Sequence, residues 1–412
     1  MKFWTTVVLF AWALPVFAEN LETPADLPPT ATARQWIEQD PAVREARSAR
    51  LSSGHTAAML TASPNEWTTR VAAQRRSFDN GGPDSNEWHV QLERSIRLGA
   101  KADIDRQLGE AELAIADARV GEAIHESARL LLDLWIGGLA AGQADKLLQE
   151  QLVLAQANLR AVERRKKAGD ASSLDVGVAA TDLAGVEHQA SLASTTLAKA
   201  RAKLRVRFPG AQLPVQALGD PKPLAEAEGQ WLHRVLEAAD PLNIAEGQLR
   251  KAELAAARAT ADRVPDPTLG IFAASEAFHR ERIVGVSISM PLGGTYRNAR
   301  MRQSLQEVEV ARGAVERHRR ELEVEVAETY ADATGNLARW RMAEQGATTA
   351  GETARLTQRA YALGEADLQS LLLARRQSLD AARTALEARA DAQRSHYRLF
   401  VDAHLIWDLA LE

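Results

Sequence analysis

The sequence predicts a mainly helical, elongated protein with a small β component, built twice from one plan. Three observations carry that prediction. Only 5% of the 412 residues are aromatic, while Ala, Leu, Glu, Arg and Gln dominate. Small residues let long helices meet along narrow seams instead of around a thick core. Helical spacing then runs unbroken for stretches far longer than a compact domain uses. Finally, the same punctuation recurs at an offset of roughly 200 residues, the mark of an internal duplication.

Met1-Lys2-Phe3-Trp4 is a short charged start, and an apolar run from Val7 to Phe17 follows it. The run closes on Val16-Phe17-Ala18, so residues 1–18 read as a secretory signal peptide cleaved after Ala18. It is well short of the ~20 apolar residues a spanning helix needs. No later stretch has that character, so a bilayer span would have to be made of alternating strands. The chain has no cysteine, which removes disulfides, thiolate metal sites, cysteine nucleophiles and a lipidated N-terminal Cys. Its net charge of −5 lacks the basic excess of a nucleic-acid binder, and no nucleic-acid partner is expected.

Residues 19–35 read as an extended lead-in, 36–208 as a first repeat, 209–230 as a linker and 231–412 as a second repeat. Asp40-Pro41 and Asp240-Pro241 each open an amphipathic helix. These helices end at Ser63-Pro64-Asn65 and at Val264-Pro265-Asp266-Pro267, because proline cannot continue a helix. Two alternating segments follow each break, predicting β-hairpins over about 66–98 and 268–292. Trp67, Thr69, Val71 and Ala73 share one face. So do Trp88, Val90, Leu92, Ile96 and Leu98, interrupted by Arg94, with Glu87, His89, Gln91 and Glu93 opposite. In the second hairpin Val284, Val286, Ile288, Met290 and Leu292 alternate with Gly285, Ser287 and Ser289. The segment from Thr268 to Phe278 is rich in β-formers but alternates poorly.

Each hairpin ends at a glycine break, Leu98-Gly99 or Leu292-Gly293-Gly294, from which a long helical pattern starts. The first runs to about Lys167 and the second from about Tyr296 to Leu363, each on the order of 100 Å at 1.5 Å per residue. Both stop at a glycine, Gly169 and Gly364, able to take the left-handed turn that closes a helix. Asp170, Ser172 or Ser173 is placed to cap the returning helix of the first repeat. Leu368, Leu372, Leu379, Ala382 and Leu386 give the second returning helix heptad-like steps.

This order, helix, β-hairpin, long helix, tip and returning helix, written twice, resembles the TolC-like outer-membrane efflux protein family. The motifs that carry the resemblance are Val286-Ser287-Ile288-Ser289-Met290-Pro291-Leu292-Gly293-Gly294 and the tips Gly169-Asp170-Ala171-Ser172-Ser173-Leu174-Asp175-Val176 and Gly364-Glu365-Ala366-Asp367-Leu368. The resemblance implies a homotrimer in which each subunit gives four strands to one 12-stranded transmembrane β-barrel in the outer membrane. The helices would continue into the periplasm as an α-helical, coiled-coil barrel. It also implies a periplasmic adaptor docked at the tips (Gly169, Asp170, Ser172, Ser173, Gly364 and Glu365), an inner-membrane RND pump reached through that adaptor, and no catalysis or cofactor. An isolated four-stranded sheet in lipid would leave its edge groups unpaired at several kcal/mol each, which independently requires closure with further copies.

In the family, carboxylates just past the tip glycines project into the lumen and favour cations. Asp175 is the matching position in the first repeat; the second carries Ser370 and Leu373 where more acidic relatives have Asp, with Asp367 and Glu365 nearby. Asp175 and Asp367 are the candidate gate residues. Asp367 and Glu365 read equally as carboxylates at a helix N-terminus, favoured there by the macrodipole, and the alternative for Asp175 is a solvated helix residue. Arg164, Arg165, Lys166 and Lys167 similarly complement a helix C-terminus, with adaptor contact as the functional alternative.

The nine histidines are scattered, with no helical metal-ligand spacing, and there is no phosphate loop or serine elbow. The reading is therefore an efflux duct for small solutes, with heavy-metal cations as one cargo class and multidrug efflux or type I secretion as alternatives. Rivals of another class are a periplasmic adaptor, which carries one helical hairpin instead of two, and an exported structural coiled coil.

Overall fold

The computed structural model describes residues 24–79, 81–215 and 217–409. The signal-peptide reading of residues 1–18 lies outside them. Among the described residues the chain is mainly helical with one four-stranded sheet, and its two halves repeat one order of elements.

A short helix, α1 (Thr30–Glu38), precedes the first repeat. Part of the lead-in expected to be extended is thus helical. Ala33 and Ile37, one turn apart, bury in a cluster with Leu131 and Leu132, a contact nearly a hundred residues away that local pattern does not display. The first repeat continues with α2 (Pro41–Ala62), β1 (Thr68–Arg76), β2 (Ser85–Ser95), α3 (Lys101–Lys167) and α4 (Ser173–Arg207). The second has α5 (Glu228–Ala238), α6 (Asp240–Ala261), β3 (Thr268–Glu276), β4 (Glu281–Ser289), α7 (Thr295–Leu363) and α8 (Leu368–Asp402). The long helices hold 67 and 69 residues, and each returning helix holds 35.

The repeats start differently. Asp40 stands outside α2 as its cap, accepting from the Ala42 N–H at 2.8 Å. Asp240 is instead the first residue of α6, and its carboxylate lies against Gly121 of α3. A Cβ at Gly121 would sit 2.5 Å from both oxygens, so the absent side chain lets α6 begin close to α3.

All strand pairs are antiparallel, in the order β1-β2-β3-β4. The central pair joins the repeats, with Trp88 opposite Ser275 and Ser95 opposite Thr268. Below it, the ammonium of Lys101, 1% exposed, donates to the Val264 carbonyl and to Asp266, each at 2.7 Å. Asp266 also accepts from the Leu98 N–H at 2.9 Å, pinning the start of α3 to the entry of β3.

Helix α3 packs on α2, α4, α6 and α8, while α7 packs on α6 and α8. The end of α4 meets the start of α2 through Arg207 and Asp40, 2.9 Å apart. The apolar core gathers where these ends meet, as a belt midway along the helices. It includes Leu131, Trp135 and Ile136 of α3 with Val43, Phe208, Leu218, Tyr397 and Trp407. Asp26 is its polar hub: its carboxylate accepts from the Tyr397 hydroxyl and its carbonyl from the Trp135 indole, both at 2.8 Å. No described helix is long and apolar enough to cross a membrane.

Candidate functional site

The sheet has two chemically distinct faces. Through the pairs Val71↔Val90, Val90↔Ala273, Leu92↔Ile271 and Ile271↔Val286, one face collects Val71, Trp88, Val90, Leu92, Leu269, Ile271, Val284, Val286 and Ile288. These side chains have no cover: Val71 is 69% exposed, Val284 85% and Val286 78%. An apolar face of that extent on a twisted sheet matches a barrel wall turned to lipid. Arg75 and Arg282 lie on this face toward the hairpin turns, and toward its helix end lies Arg94. Its Nε donates to the Asn65 carbonyl at 2.8 Å, and its guanidinium stands 5.7 Å from the Trp67 ring, at the helix end of the sheet where an interfacial anchor belongs.

The opposite face carries a network of polar side chains. Arg70 pairs with Glu93 at 3.2 Å, Arg76 with Glu87 at 3.0 Å and with Glu276 at 3.4 Å, and Gln91 donates to Ser287 at 3.2 Å. Such a face belongs against water in a channel interior. The poor alternation of β3 has its cause here. Phe272 points to this face, stacked on His89 at 5.4 Å, and a Cβ at Gly285 would lie 2.5 Å from its ring. At the far end Phe78 stacks on Phe278 at 6.2 Å, tying the two hairpin turns together.

The two tips are built alike. Gly169 and Gly364 both have left-handed backbones, φ 86° and 80°. The Asp170 N–H reaches back to the Arg165 carbonyl at 2.8 Å, and the Glu365 N–H reaches the Ala360 carbonyl at 2.8 Å. These are the same 6→1 closure of a helix end. Ser172, not Asp170 or Ser173, caps α4. The Asp175 N–H donates to its hydroxyl at 3.1 Å, and the Asp175 carboxylate accepts from the Ser172 N–H at 2.8 Å, a capping box. Asp367 caps α8, accepting from the Ser370 N–H at 2.7 Å.

Hydrogen bonds from the Ser172 backbone and side chain hold the Asp175 carboxyl below its usual range, and the Ser370 N–H does the same for Asp367. Both are ionised at physiological pH, and each has a capping duty within its own chain. The tips also touch each other: Leu368, Leu371 and Leu372 bury with Val162 and Ala179, and Arg165 lies over the Tyr361 ring. Sequence reasoning placed Arg165 among cations at a helix end and missed this contact, whose only signal was the aromatic residue three positions before the second tip glycine.

A second polar cluster, also missed, lies where α8 ends beside α3. His125 Nε2 stands 3.2 Å from Asp402, and its Nδ1 is 3.1 Å from His404 Nε2. Arg129 donates to Asp402 at 2.8 Å. Burial pushes His404 down to about 4, with His125 adding to the effect. Burial likewise pushes Asp240 up to about 6, with Glu122 adding to it. The partners are 277 and 279 residues apart in sequence, which no spacing rule links. Among the described residues no group of three or more His, Cys, Asp or Glu is placed to hold a metal ion.

Residues 231–401, nearly all of the second repeat, match the family model described as outer membrane efflux protein. The second repeat is thus similar to outer membrane efflux proteins. Counted with α1, the first repeat has the same elements in the same order.

Solved structures agree across the whole chain. A membrane protein from Pseudomonas aeruginosa aligns over 100% of this chain and 98% of its own, with TM-score 0.79 and 15% identity. The outer-membrane channel OprN aligns over 92% and 91%, with TM-score 0.74 and 18% identity. VceC of Vibrio cholerae, an outer membrane protein, aligns over 90% and 96%, with TM-score 0.72 and 16% identity. At these identities the likeness establishes the fold. No curated protein matches in sequence.

Proposed function

We propose that this chain is an outer membrane efflux protein that works as a homotrimer, the exit duct of a tripartite RND-type system. The observation that carries the reading is the four-stranded sheet with its bare apolar face, polar inner face and two unpaired edges, β1 and β4. In lipid those edges require partners, and identical copies supply them with a closed ring of twelve strands. The long helices then form the periplasmic tube. The tips at Gly169, Asp170, Ser172, Ser173, Gly364 and Glu365 face an adaptor, through which the inner-membrane pump delivers its cargo. Asp175 and Asp367, ionised at the tips, form the cation-favouring ring at the gate. Solutes pass passively, and the pump supplies the energy.

The test is separation of envelope membranes on a density gradient, with native sizing of the detergent extract. Recovery in the outer-membrane fraction as a trimer is expected; recovery only in soluble periplasm or at the inner membrane overturns the reading. Single-channel recording of Asp175→Asn and Asp367→Asn tests the gate, with reduced cation selectivity expected. For the cargo, we take small solutes with divalent metals as the first class to test. A deletion strain hypersensitive to metals supports that choice, whereas sensitivity to drugs and dyes alone moves the duct to multidrug efflux.

A further inference from the structure

The trimer of the proposed function leaves open which residues meet where one subunit's sheet joins the next. The internal duplication supplies the answer, because the ring has two kinds of junction between repeats. One lies inside the chain, between β2 and β3, and its register is known: Glu93↔Gly270, Leu92↔Ile271, Gln91↔Phe272, Val90↔Ala273 and His89↔Ala274. The other lies between β4 of one subunit and β1 of its neighbour. In a ring built from six similar units the two junctions occupy equivalent places.

Thr68 and Thr268 open equivalent strands at the same offset that relates Asp40-Pro41 to Asp240-Pro241. The hairpin pairs Thr68↔Glu93 and Thr268↔Ser289 then make Ser289 the counterpart of Glu93. Carrying the internal junction across by these equivalences fixes the seam. We propose that β4 of one subunit pairs antiparallel with β1 of the next, with Ile288 opposite the partner's Val71, Val286 opposite the partner's Ala73 and Gly285 opposite the partner's Gln74. The inference rests on the trimeric reading and sharpens it to a register.

Two independent features fit this register. Outward side chains meet outward ones, since Val286 and Ile288 belong to the bare apolar face together with Val71 and Ala73. A one-residue slip would turn a lipid-facing side chain into the channel. The geometry of closure also agrees. A line along the hydrogen bonds from Thr68 crosses Glu93, Gly270 and Ser287, and in this register it returns to the partner's Ala72. The stagger is about four residues per subunit, about twelve around the ring, which tilts the strands by roughly 35°. Sliding the seam by four residues one way removes the stagger altogether, and a barrel without stagger does not close. Sliding it four the other way doubles the stagger and steepens the tilt beyond the usual 35–45°.

The seam has a consequence for the lumen. Within the chain, the inner face beside the central junction is filled by His89 stacked on Phe272. At the seam the same place is taken by Gly285 and the partner's Ala72. There the Phe272 ring of the same subunit lies over Gly285, so one aromatic side chain covers the inner face up to the seam.

The absence of cysteine makes the test clean, since introduced thiols are the only ones present. The full chain carrying Ala73→Cys and Val286→Cys is oxidised mildly in outer-membrane preparations and run on denaturing gels after heating. A heat-stable covalent trimer is expected. The pairs Ala73→Cys with Val284→Cys and Ala73→Cys with Ile288→Cys, each displaced by two residues, should link at least ten-fold less. Preferential linking of either displaced pair, or a native trimer in which none of the three links, overturns the register. A monomer on native sizing of the unaltered chain removes the trimeric reading beneath it.

Discussion

The guanidinium of Arg165 lies over the ring of Tyr361, 5.3 Å from its centre, joining the last turn of α3 to the last turns of α7. The two tips are thereby one mechanical unit within a subunit. A cation–π contact at such a site contributes about 0.5–1 kcal/mol. Tyr361→Ala should therefore raise the open population of the tunnel roughly two- to five-fold. Tyr361→Phe, which keeps the ring face, should behave as the parent. Conductance in planar bilayers reads this directly; equal conductance of all three would show that the contact does not hold the tip.

The capping box at the first tip predicts a stability effect separable from any gating effect. Ser172→Ala should lower stability by about 1 kcal/mol, and Asp367→Ala by a similar amount at the second tip. Hydrogen exchange of the first turns of α4 and α8 is the appropriate readout, because the loss is local and the belt is distant.

Lys101 is buried among Val264, Asp262 and Asp266 at the base of the sheet. Removing one partner of a buried pair costs roughly 3–5 kcal/mol, because the other charge stays behind. Lys101→Met should prevent accumulation of the assembled protein in the outer membrane. Lys101→Met combined with Asp266→Asn should recover part of it.

The cluster at the end of α8 predicts a pH dependence with a definite sign. His404 is pushed down to about 4 from an ordinary 6.5. Between those values the unfolded imidazole holds a proton that the folded one lacks, so stability falls as pH drops from 6.5 toward 4. Asp240 opposes it: raised to about 6 from 3.8, its contribution is present below 3.8 and is lost as pH rises through 6. Asp240→Asn should thus stabilise the protein at neutral pH by on the order of 1 kcal/mol after solvent screening, with the gain vanishing below about pH 4. His404 also has a left-handed backbone, φ 55°, where helix ends favour glycine. His404→Gly should accordingly be near neutral at pH 8 and more stable than the parent at pH 5. Thermal melts across that range, in detergent, decide both.

Gly285 lies under the Phe272 ring, with no room for a Cβ. Gly285→Val should cost about 1–3 kcal/mol by overpacking the inner wall. Phe272→Ala in the same chain should relieve it, and the yield of heat-resistant oligomer in outer-membrane extracts is the measure.

Much of the architecture is legible in the sequence because its punctuation is local. Gly169 and Gly364 close the long helices through their own backbone freedom, and Pro64 and Pro265 end the helices before the sheet. Strand β3 is harder to read, since Gly270 and Phe272 answer to Ser287 and Gly285 on the neighbouring strand and not to a polar–apolar rhythm. Helix α1 is missed for the same kind of reason: Ala33 and Ile37 are buried by α3, not by anything nearby in sequence. At the tips the helix-terminal placement of Asp367 was visible, while the capping box that engages Asp175 was not. Asp175 and Asp367 each satisfy a free N–H of the helix that follows, a need of the backbone that exists whether or not a lumen lies beside them.

The belt has its own consequence for the order of assembly. Asp26 sits between Trp135, Gln393 and Tyr397, the Trp407 indole donates to the Pro28 carbonyl, and Arg34 pairs with Asp408. Residues near both ends of the described chain thus finish the same piece of core. Until the late residues are in place, Asp26 lacks Gln393 and Tyr397, the Pro28 carbonyl lacks Trp407, and the belt stays unfinished. Completion of the chain is thereby written into the core itself, so that a chain lacking its last helix has no rigid collar from which to present its strands.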